Sequence, residues 1–386
     1  MGSIGGGAHV YWTTNNGLSW SEITPALNRT QEIQCVFFVD ASHGWVALDD
    51  NADSAQSPFS VASTNDGGKS WQYTTLNFDI TGTLFAGAQI SVTSIDFTDA
   101  EHGWIMYRAP TNTQFNDGLL ARTEDGGAHW TLAQSVPIAG KLSFGSSSMG
   151  ILYGDDPQSD DPQFPYHAWY TTDGGSSWKK AILPLPAQCS RGNCLVESLG
   201  PAFFQSQQEV FLSATARLPD EQSAASFLYK SETAGSTWDI GPANLRQGKN
   251  ELRPTTMFDG QALYLTEKDQ IVSIQAGTSV AQLQLPTDLP SPVSVSSESA
   301  SFVDSANGWI VGGGIGCAAG FHTPCIHSSE KASFQVLFSV SGNSLNPITP
   351  TTGTIIPNAA GSSRPLSLQK PIASRAEAKP HVGSTP

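Results

Sequence analysis

The chain has 386 residues, with 37 glycines, 24 prolines and 10 tryptophans, and only 14% of its residues are charged. This composition excludes a coiled coil or long-helix protein, which would be rich in alanine, leucine, glutamate and lysine. Lysine and arginine total 19 against 34 acidic residues, which argues against nucleic acid as a partner. No run approaches the roughly 18 apolar residues of a membrane helix, so no membrane span is predicted. The many turn-forming and aromatic residues predict an all-β protein.

The net charge of −15 is unevenly distributed along the chain. From residue 342 onward there are four basic residues and one acidic residue, so this end carries +3 and the rest carries −18. A segment so rich in serine, proline and threonine buries too little surface to offset its ordering entropy. We therefore predict a folded domain over residues 1–345 and a low-complexity tail over 346–386, disordered from roughly residue 358.

Four of the five cysteines form two closely spaced pairs, Cys189 with Cys194 and Cys317 with Cys325. Neither pair has the C-x-x-C spacing of a zinc site or redox motif, so small loops closed by disulfides are predicted. Disulfides imply an oxidising compartment, which predicts a secreted or cell-surface protein. Cys35 lies in an apolar run and is predicted to be a core residue. The alternative is five free thiols in a cytosolic protein. The first residues do not resemble a signal peptide, and an upstream segment could have carried one.

An eight-residue pattern, Ser/Thr-x-Asp-x-Gly-x-x-Trp, recurs five times, with intervals of 51, 59, 48 and 60 residues between its tryptophans. Each copy follows an alternating, strand-like run and is predicted to be the turn of a β-hairpin. The aspartate can accept bonds from backbone N–H groups two residues on, and the glycine can adopt positive φ. The tryptophan is expected to pack against the neighbouring repeat. The structural residues predicted on this basis are Asn15, Gly17, Trp20, Asp66, Gly68, Trp71, Asp125, Gly127, Trp130, Asp173, Gly175, Trp178, Gly235 and Trp238.

A second pattern precedes the hairpins and consists of an apolar strand, an aspartate, a short turn, Gly-Trp and another apolar strand. Its clear copies span 37–48, 95–106 and 301–311, and its degenerate copies span 143–153, 202–212 and 257–265. One unit therefore contains four antiparallel strands in about 50 residues, which predicts a β-propeller of four-stranded blades.

The blade count predicted from these units is seven, with six and eight as alternatives. Six full units begin near residues 34, 92, 141, 199, 255 and 300. Residues 4–20 would supply the later strands of the seventh blade, and 335–357 its first strand. Two segments are expected to be outer hairpins that have lost the motif, at 265–272 and 327–334.

The hairpin pattern is the Asp-box, or BNR repeat. Paired with D-x-x-x-G-W, it resembles the photosystem II stability/assembly factor-like propeller family over about residues 4–340. Sortilin-type and sialidase-type propellers share the Asp-box alone. The resemblance implies that the Asp-box residues are structural and that the protein is a non-catalytic, assembly-factor-like scaffold for a protein or glycan. No arginine cluster stands out, so the photosystem-binding role of photosynthetic members does not carry over.

The enzymatic alternative is a sialidase-type or other glycoside hydrolase. Sialidases clamp their substrate with three arginines and use a tyrosine–glutamate pair with an acid/base aspartate. The Arg-Ile-Pro segment of sialidases is missing from the sequence. The three-arginine site considered for this alternative is Arg29 with Arg108 and Arg253.

Two acidic runs follow predicted second strands of blades. The run with Asp155, Asp156, Asp160 and Asp161 is a weak Ca²⁺ candidate, because oxygen ligands are dense there but lack D-x-D-x-D-G spacing. The other run holds Asp49, Asp50 and Asp53. Their shared position predicts an acidic rim on one face, suited to a cationic or Ca²⁺-bridged partner. His43 and His102 occupy equivalent turn positions and are predicted to be structural. We expect a monomer without other cofactors, whose protein partner the sequence does not identify.

Overall fold

The computed structural model describes residues 9–12, 21–28, 31–50, 59–76, 90–110, 116–161, 164–185, 189, 194–218 and 223–241, and the backbone of strands between residues 244 and 358. Every regular element in these residues is a β-strand, and every strand pair is antiparallel. The all-β prediction is confirmed. A helix of the length and apolarity needed to cross a bilayer does not occur in this part of the chain.

The first four full sheets are meanders in which each strand pairs with the next one along the chain. A short pair, β1 and β2, precedes them. The bounds are β1 (Tyr11–Trp12), β2 (Ser21–Glu22); β3 (Gln31–Phe38), β4 (Gly44–Asp50), β5 (Phe59–Thr64), β6 (Gln72–Leu76); β7 (Ser91–Phe97), β8 (Gly103–Pro110), β9 (Asn116–Thr123), β10 (Thr131–Val136); β11 (Lys141–Phe144), β12 (Gly150–Asp155), β13 (Tyr166–Thr171), β14 (Lys179–Lys180); β15 (Leu195–Phe204), β16 (Val210–Arg217), β17 (Ser223–Ser231), β18 (Asp239–Ile240).

Two further sheets repeat the same order, and short strands β19 and β28 extend the outer edges of the fourth and sixth sheets. Their bounds are β19 (Asn244–Gln247); β20 (Arg253–Phe258), β21 (Gln261–Leu265), β22 (Ile271–Gln275), β23 (Thr278–Leu283); β24 (Val293–Asp304), β25 (Asn307–Cys317), β26 (Lys331–Ser341), β27 (Ser344–Pro347) and β28 (Ile356–Asn358).

The first strands of successive sheets lie side by side, β3 with β7, β7 with β11, β11 with β15, β15 with β20 and β20 with β24. Four-stranded meanders joined in sequence through their first strands are the blades of a β-propeller, and the predicted fold is confirmed. The described residues contain six four-stranded blades and one two-stranded piece. The total of seven blades stays a prediction, as does the domain boundary at residue 345, which falls within β27.

The described part of the expected closing segment at 335–357 lies in the sixth blade, where β26 and β27 are the third and fourth strands and β28 pairs with β26. Residues 348–355 lie outside the described residues, so the closing strand stays a prediction. The expected outer hairpin at 265–272 is wrong, because this segment connects the second and third strands of the fifth blade. Likewise, 327–334 runs into the start of β26 and is not a third-to-fourth hairpin.

The Asp-box hydroxyl and carboxylate close the turn together. In the first blade Thr64 Oγ1 donates to Asp66 Oδ1 at 2.8 Å and accepts the Gly68 N–H at 2.9 Å. Asp66 Oδ1 accepts the N–H of Ser70, four residues on, at 2.9 Å, so the bond differs from the expected one two residues on. Gly67 and Gly68 have φ of 73° and 82°, which glycine adopts without strain.

The same bonds recur in the boxes that begin at Thr123 and Thr171. In the fourth blade Thr233 stands in the aspartate position, and its hydroxyl accepts the Thr237 N–H at 2.9 Å. A hydroxyl can therefore replace the carboxylate in this turn. The first copy of the motif, with Asn15, Gly17 and Trp20, lies outside the described residues.

The tryptophan of each Gly-Trp pair bridges two blades. Trp45 Nε1 in the first blade donates to the carbonyl of Gly126, in the Asp-box of the second, at 2.7 Å. Its ring stacks on Phe97 of the second blade with centroids 3.5 Å apart. Trp104 repeats both contacts one blade later, with Gly174 O at 2.9 Å and with Phe144. We call this paired contact the indole clasp.

The Asp-box tryptophans pack mainly inside their own blades. Trp130 meets Phe97 edge-on, and Trp178 meets Phe144 in the same way. The glycine before the bridging tryptophan is needed because a Cβ at Gly103 would collide with the ring of Phe97, its cross-strand partner. In the second and third blades, one phenylalanine is thus enclosed by two tryptophans and a glycine.

The two faces of the disc differ in the elements that they carry. The residue after the Asp-box aspartate donates its backbone N–H to the turn between the first and second strands of the same blade. For example, the Gly126 N–H bonds to the Glu101 carbonyl at 2.8 Å. Both turns therefore lie on one face, which we call the Asp-box face. First strands begin and second strands end at the opposite face. There the first strand contains a one-residue bulge in four blades. The bulged residues are Gln34, Thr93, Glu197 and Thr255. We call this the bulge face.

Candidate functional site

Charged side chains stand at the ends of consecutive second strands on the bulge face. The last described positions of these strands carry Asp49, Arg108, Asp155 and Arg217 in blade order. The two acidic runs therefore begin on one face, as the sequence suggested. The expected acidic rim is corrected, however, because a basic residue alternates with each acidic one. Arg217 forms an ion pair with Glu197, the bulged residue of its own blade. The side chains of Asp50 and Asp53 lie outside the described residues.

A pocket of about 100 Å³ opens between the second and third blades on this face. Arg108, Lys141 and Asp155 line it, and all three are exposed. Lys141 Nζ donates to the carbonyl of Thr93 in the second blade at 2.8 Å, so the bulge that carries Thr93 fixes the ammonium group beside the pocket. Burial raises the pKa of Tyr153, at the pocket wall, to about 12, so its phenol stays protonated at neutral pH.

The aspartates of the calcium candidate do not converge on one position. Asp155 is exposed, whereas the carboxylate of Asp156 is almost fully buried, with Oδ2 2.9 Å from His167 Nδ1 and 3.6 Å from Lys180 Nζ. Burial and the nearby Lys180 lower the pKa of His167. Asp161 contributes its backbone carbonyl to the loop, accepting the Phe164 N–H at 3.0 Å, and Asp160 is exposed. In the described part of the chain no three His, Cys, Asp or Glu side chains converge on a metal position.

Asp96 is a carboxylate whose pKa lies near neutrality. It stands on β7 and accepts the N–H of Phe144 on β11, in the next blade, at 2.6 Å. Burial raises the pKa of Asp96 to about 7. A carboxyl group with such a pKa could serve as a general acid, but this one is occupied in joining two first strands and does not line the pocket.

The arginines of the sialidase-type hypothesis are only partly described. Arg108 lines the pocket. Arg253 is the first residue of β20 and is therefore placed at the bulge face, where first strands begin. Arg29 lies outside the described residues. Arg122 is on the Asp-box face, where its guanidinium pairs with Glu124 at 2.6 Å.

The histidines at equivalent turn positions each pair with an aspartate on the Asp-box face. His43 Nδ1 lies 2.8 Å from Asp40 Oδ2, and His102 Nδ1 lies 2.9 Å from Asp99 Oδ2. Hydrogen bonds from the side chain and backbone of His43 lower the pKa of Asp40 to about 2. The pairs close the first-to-second turns, which is a structural role.

One disulfide joins Cys189 to Cys194 and closes the loop before the fourth blade. Cys189 is buried, and its side chain packs with the core of the third and fourth blades. Cys35 is a free, half-buried thiol whose pKa is raised by burial. Cys317 ends β25 and its side chain is outside the described residues, as is all of Cys325.

Comparison with protein-family models finds none that matches this chain, and none of the curated proteins matches it. Among solved structures, the chain is similar to YCF48 bound to a D1 peptide, at 15% identity over 84% of this chain and 86% of that one, with a TM-score of 0.46. It is also similar to the GH93 α-L-arabinofuranosidase of Fusarium graminearum, at 12% identity over 72% and 86% of the two chains, with a TM-score of 0.42. The SapL1 lectin gives 11% identity over 79% and 93%, with a TM-score of 0.37. None of these similarities carries information about activity.

The raised pKa of Asp96 predicts a specific loss of stability as the pH rises. Between about pH 4 and pH 7 the folded chain holds a proton that the unfolded chain has released, so the free energy of unfolding falls through this window. Asp96→Asn retains an acceptor for the Phe144 N–H and cannot ionise. We expect the stability of this variant relative to the parent to rise by roughly 2–4 kcal/mol from pH 4.5 to pH 8, measured by urea denaturation. A difference that is independent of pH would contradict the assignment.

Proposed function

We propose that this protein is a non-catalytic binding scaffold of an oxidising, extracytoplasmic compartment, and that a protein partner docks on its bulge face. The observation that carries the proposal is the alternating charge at the ends of the second strands, with Arg108 and Lys141 together in one small pocket. An array of this kind favours a partner of complementary charge pattern, since like charges in a wrong register repel.

The cationic pair suits a carboxylate of the partner. Lys141 is held by the Thr93 carbonyl, which is neutral, so its positive charge is not cancelled by that bond. Asp155 lines the same pocket and favours a neighbouring basic group. This part of the disc can therefore accept an acidic and a basic side chain next to each other, even though the chain as a whole is acidic.

The same pocket is poorly suited to glycoside hydrolysis. Most glycosidases need two carboxyl groups about 5–9.5 Å apart around the scissile bond. Asp155 is the only carboxylate among the described residues that line this pocket. A volume of about 100 Å³ is also well below the ~300–1,000 Å³ of typical small-molecule sites.

The disulfide between Cys189 and Cys194 supports the proposed oxidising compartment. Such bonds persist in secreted and surface proteins and are rare in the reducing cytosol.

Charge reversal on the bulge face should abolish partner capture. The full chain serves as bait in an extract of the native organism, and bound proteins are quantified by mass spectrometry. Arg108→Glu with Lys141→Glu is expected to reduce capture of a specific partner at least ten-fold, because it replaces attraction by repulsion. Capture by the parent should also weaken in 1 M salt, where exposed charges are screened within about 3 Å.

The matched control is Lys69→Glu with Lys179→Glu, which makes the same change in charge at exposed positions of the Asp-box side. This control should capture the partner as the parent does. If the bulge-face variant captured the partner as well as the parent does, the docking proposal would be wrong. If the parent chain hydrolysed fluorogenic glycosides and Asp155→Asn lost this activity, the protein would be an enzyme and the scaffold proposal would be wrong.

The proposed compartment is tested on protein purified from its native source without reductant. Thiols are blocked by alkylation at once, and peptides are then mapped by mass spectrometry. We expect a peptide in which Cys189 and Cys194 are linked and unmodified, and an alkylated Cys35 after denaturation. Alkylation of both Cys189 and Cys194 would contradict an oxidising location.

A further inference from the structure

The residue just before each Asp-box determines whether the space between neighbouring boxes is filled. In the second blade this residue is Arg122, whose Nη1 reaches Asp173 O at 3.4 Å and Ser176 Oγ at 3.3 Å in the box of the third blade. In the third blade it is Tyr170, which packs against Gly235 in the box of the fourth. In the first blade it is Ser63, which is too short to cross.

An open groove lies where Ser63 leaves this space unfilled. It has a volume of about 270 Å³, lies between the first and second blades on the Asp-box face, and is floored by Trp45. The side chains of Asn65, Gln72 and Thr74 line it with Ser63. We call it the Ser63 groove.

These four polar side chains have free hydrogen-bonding capacity. Ser63, Asn65, Gln72 and Thr74 make no side-chain hydrogen bond to any part of the chain that the structure describes. Each hydroxyl or amide can both donate and accept. By contrast, the other polar groups at the groove are occupied, because His43 pairs with Asp40 and Trp45 Nε1 with the Gly126 carbonyl.

The charge of the groove selects against anions. Asp125 lines it, and hydrogen bonds from His129 and Thr123 lower the pKa of Asp125 in spite of desolvation, so it is ionised at neutral pH. Lysine and arginine are absent from the described residues of the lining. Acidic sugars, including sialic and uronic acids, would meet the Asp125 carboxylate with no lysine or arginine in the described lining to bind their own carboxylate.

We propose that the Ser63 groove binds a neutral saccharide unit. The vicinal hydroxyl groups of a sugar both donate and accept hydrogen bonds. The four side chains of the groove do the same, so sugar and groove can hydrogen-bond to each other. The volume lies just below the ~300 Å³ at which small-molecule pockets begin, which fits one or two sugar rings. The site lies on the face opposite to the proposed protein dock and does not depend on it.

The test uses the full chain and saturation-transfer difference NMR. The probes are cellotetraose, maltotetraose, chitotetraose, a mannotriose and a galactotriose, with sialyllactose and a tetragalacturonide as acidic probes. At least one neutral probe should bind with a Kd of millimolar or below, and the acidic probes should not bind. Ser63→Arg, which copies Arg122 and fills the groove, should weaken that binding at least ten-fold.

The matched control is Thr75→Arg, which places the same side chain on β6, next to the strand that carries Ser63, at an exposed position that does not line the groove. Its affinity should equal that of the parent. If Ser63→Arg fails to fold, as judged by its thermal transition, Gln72→Ala with Thr74→Ala removes two polar partners without adding bulk and should also weaken binding at least ten-fold.

Absence of binding by every neutral probe would overturn the proposal, as would equal binding of acidic probes or a Kd unchanged in both groove variants. The proposal would also be overturned if no saccharide binds, while a short peptide from a neutral library binds the parent and fails to bind the Ser63→Arg variant. Arg108→Glu with Lys141→Glu should leave saccharide affinity unchanged, so failure of the protein dock is distinguishable from failure here.

Discussion

The indole clasp is the interaction on which the rest of this disc depends. A tryptophan on the second strand of one blade donates its N–H to the Asp-box turn of the next and stacks on that blade's phenylalanine. The acceptor carbonyl is correctly placed only if the turn is closed by its threonine and aspartate. The two sequence motifs are therefore parts of one contact between blades, which explains why they recur with a common period.

The sequence predicted the architecture well where both motifs are intact. First strands expected near residues 92 and 141 begin at 91 and 141, because alternating apolar residues and turn glycines fix the register there. The role of the two tryptophans could not be predicted, since the motif does not reveal which blade an indole faces. Beyond residue 255 the Asp-box is no longer present in the sequence, and the two expected outer hairpins there fall instead at the junction of second and third strands and at the start of β26.

The two faces of the disc follow from the same repeat but differ in chemistry. On the bulge face, second strands end in charged residues and the bulge at Thr93 anchors a lysine, neither of which the motifs specify. A bulge is a one-residue change in pairing and leaves no distinct pattern in a single sequence. On the Asp-box face, a single position before the box decides between a filled junction, with Arg122, and an open one, with Ser63. Both proposed sites are thus formed by residues that depart from the repeat.

The clasp is tested most directly by two tryptophans that enclose the same ring. Trp104 and Trp178 both contact Phe144, but only the Trp104 Nε1 has an acceptor, Gly174 O, while the buried Trp178 Nε1 finds none among the described residues. Trp104→Phe and Trp178→Phe remove similar volume, and urea denaturation gives the free energy of unfolding of each. Because it leaves a buried carbonyl unpaired, Trp104→Phe should cost roughly 1–3 kcal/mol more than Trp178→Phe. Equal losses would show that the indole bond does not hold the blades together.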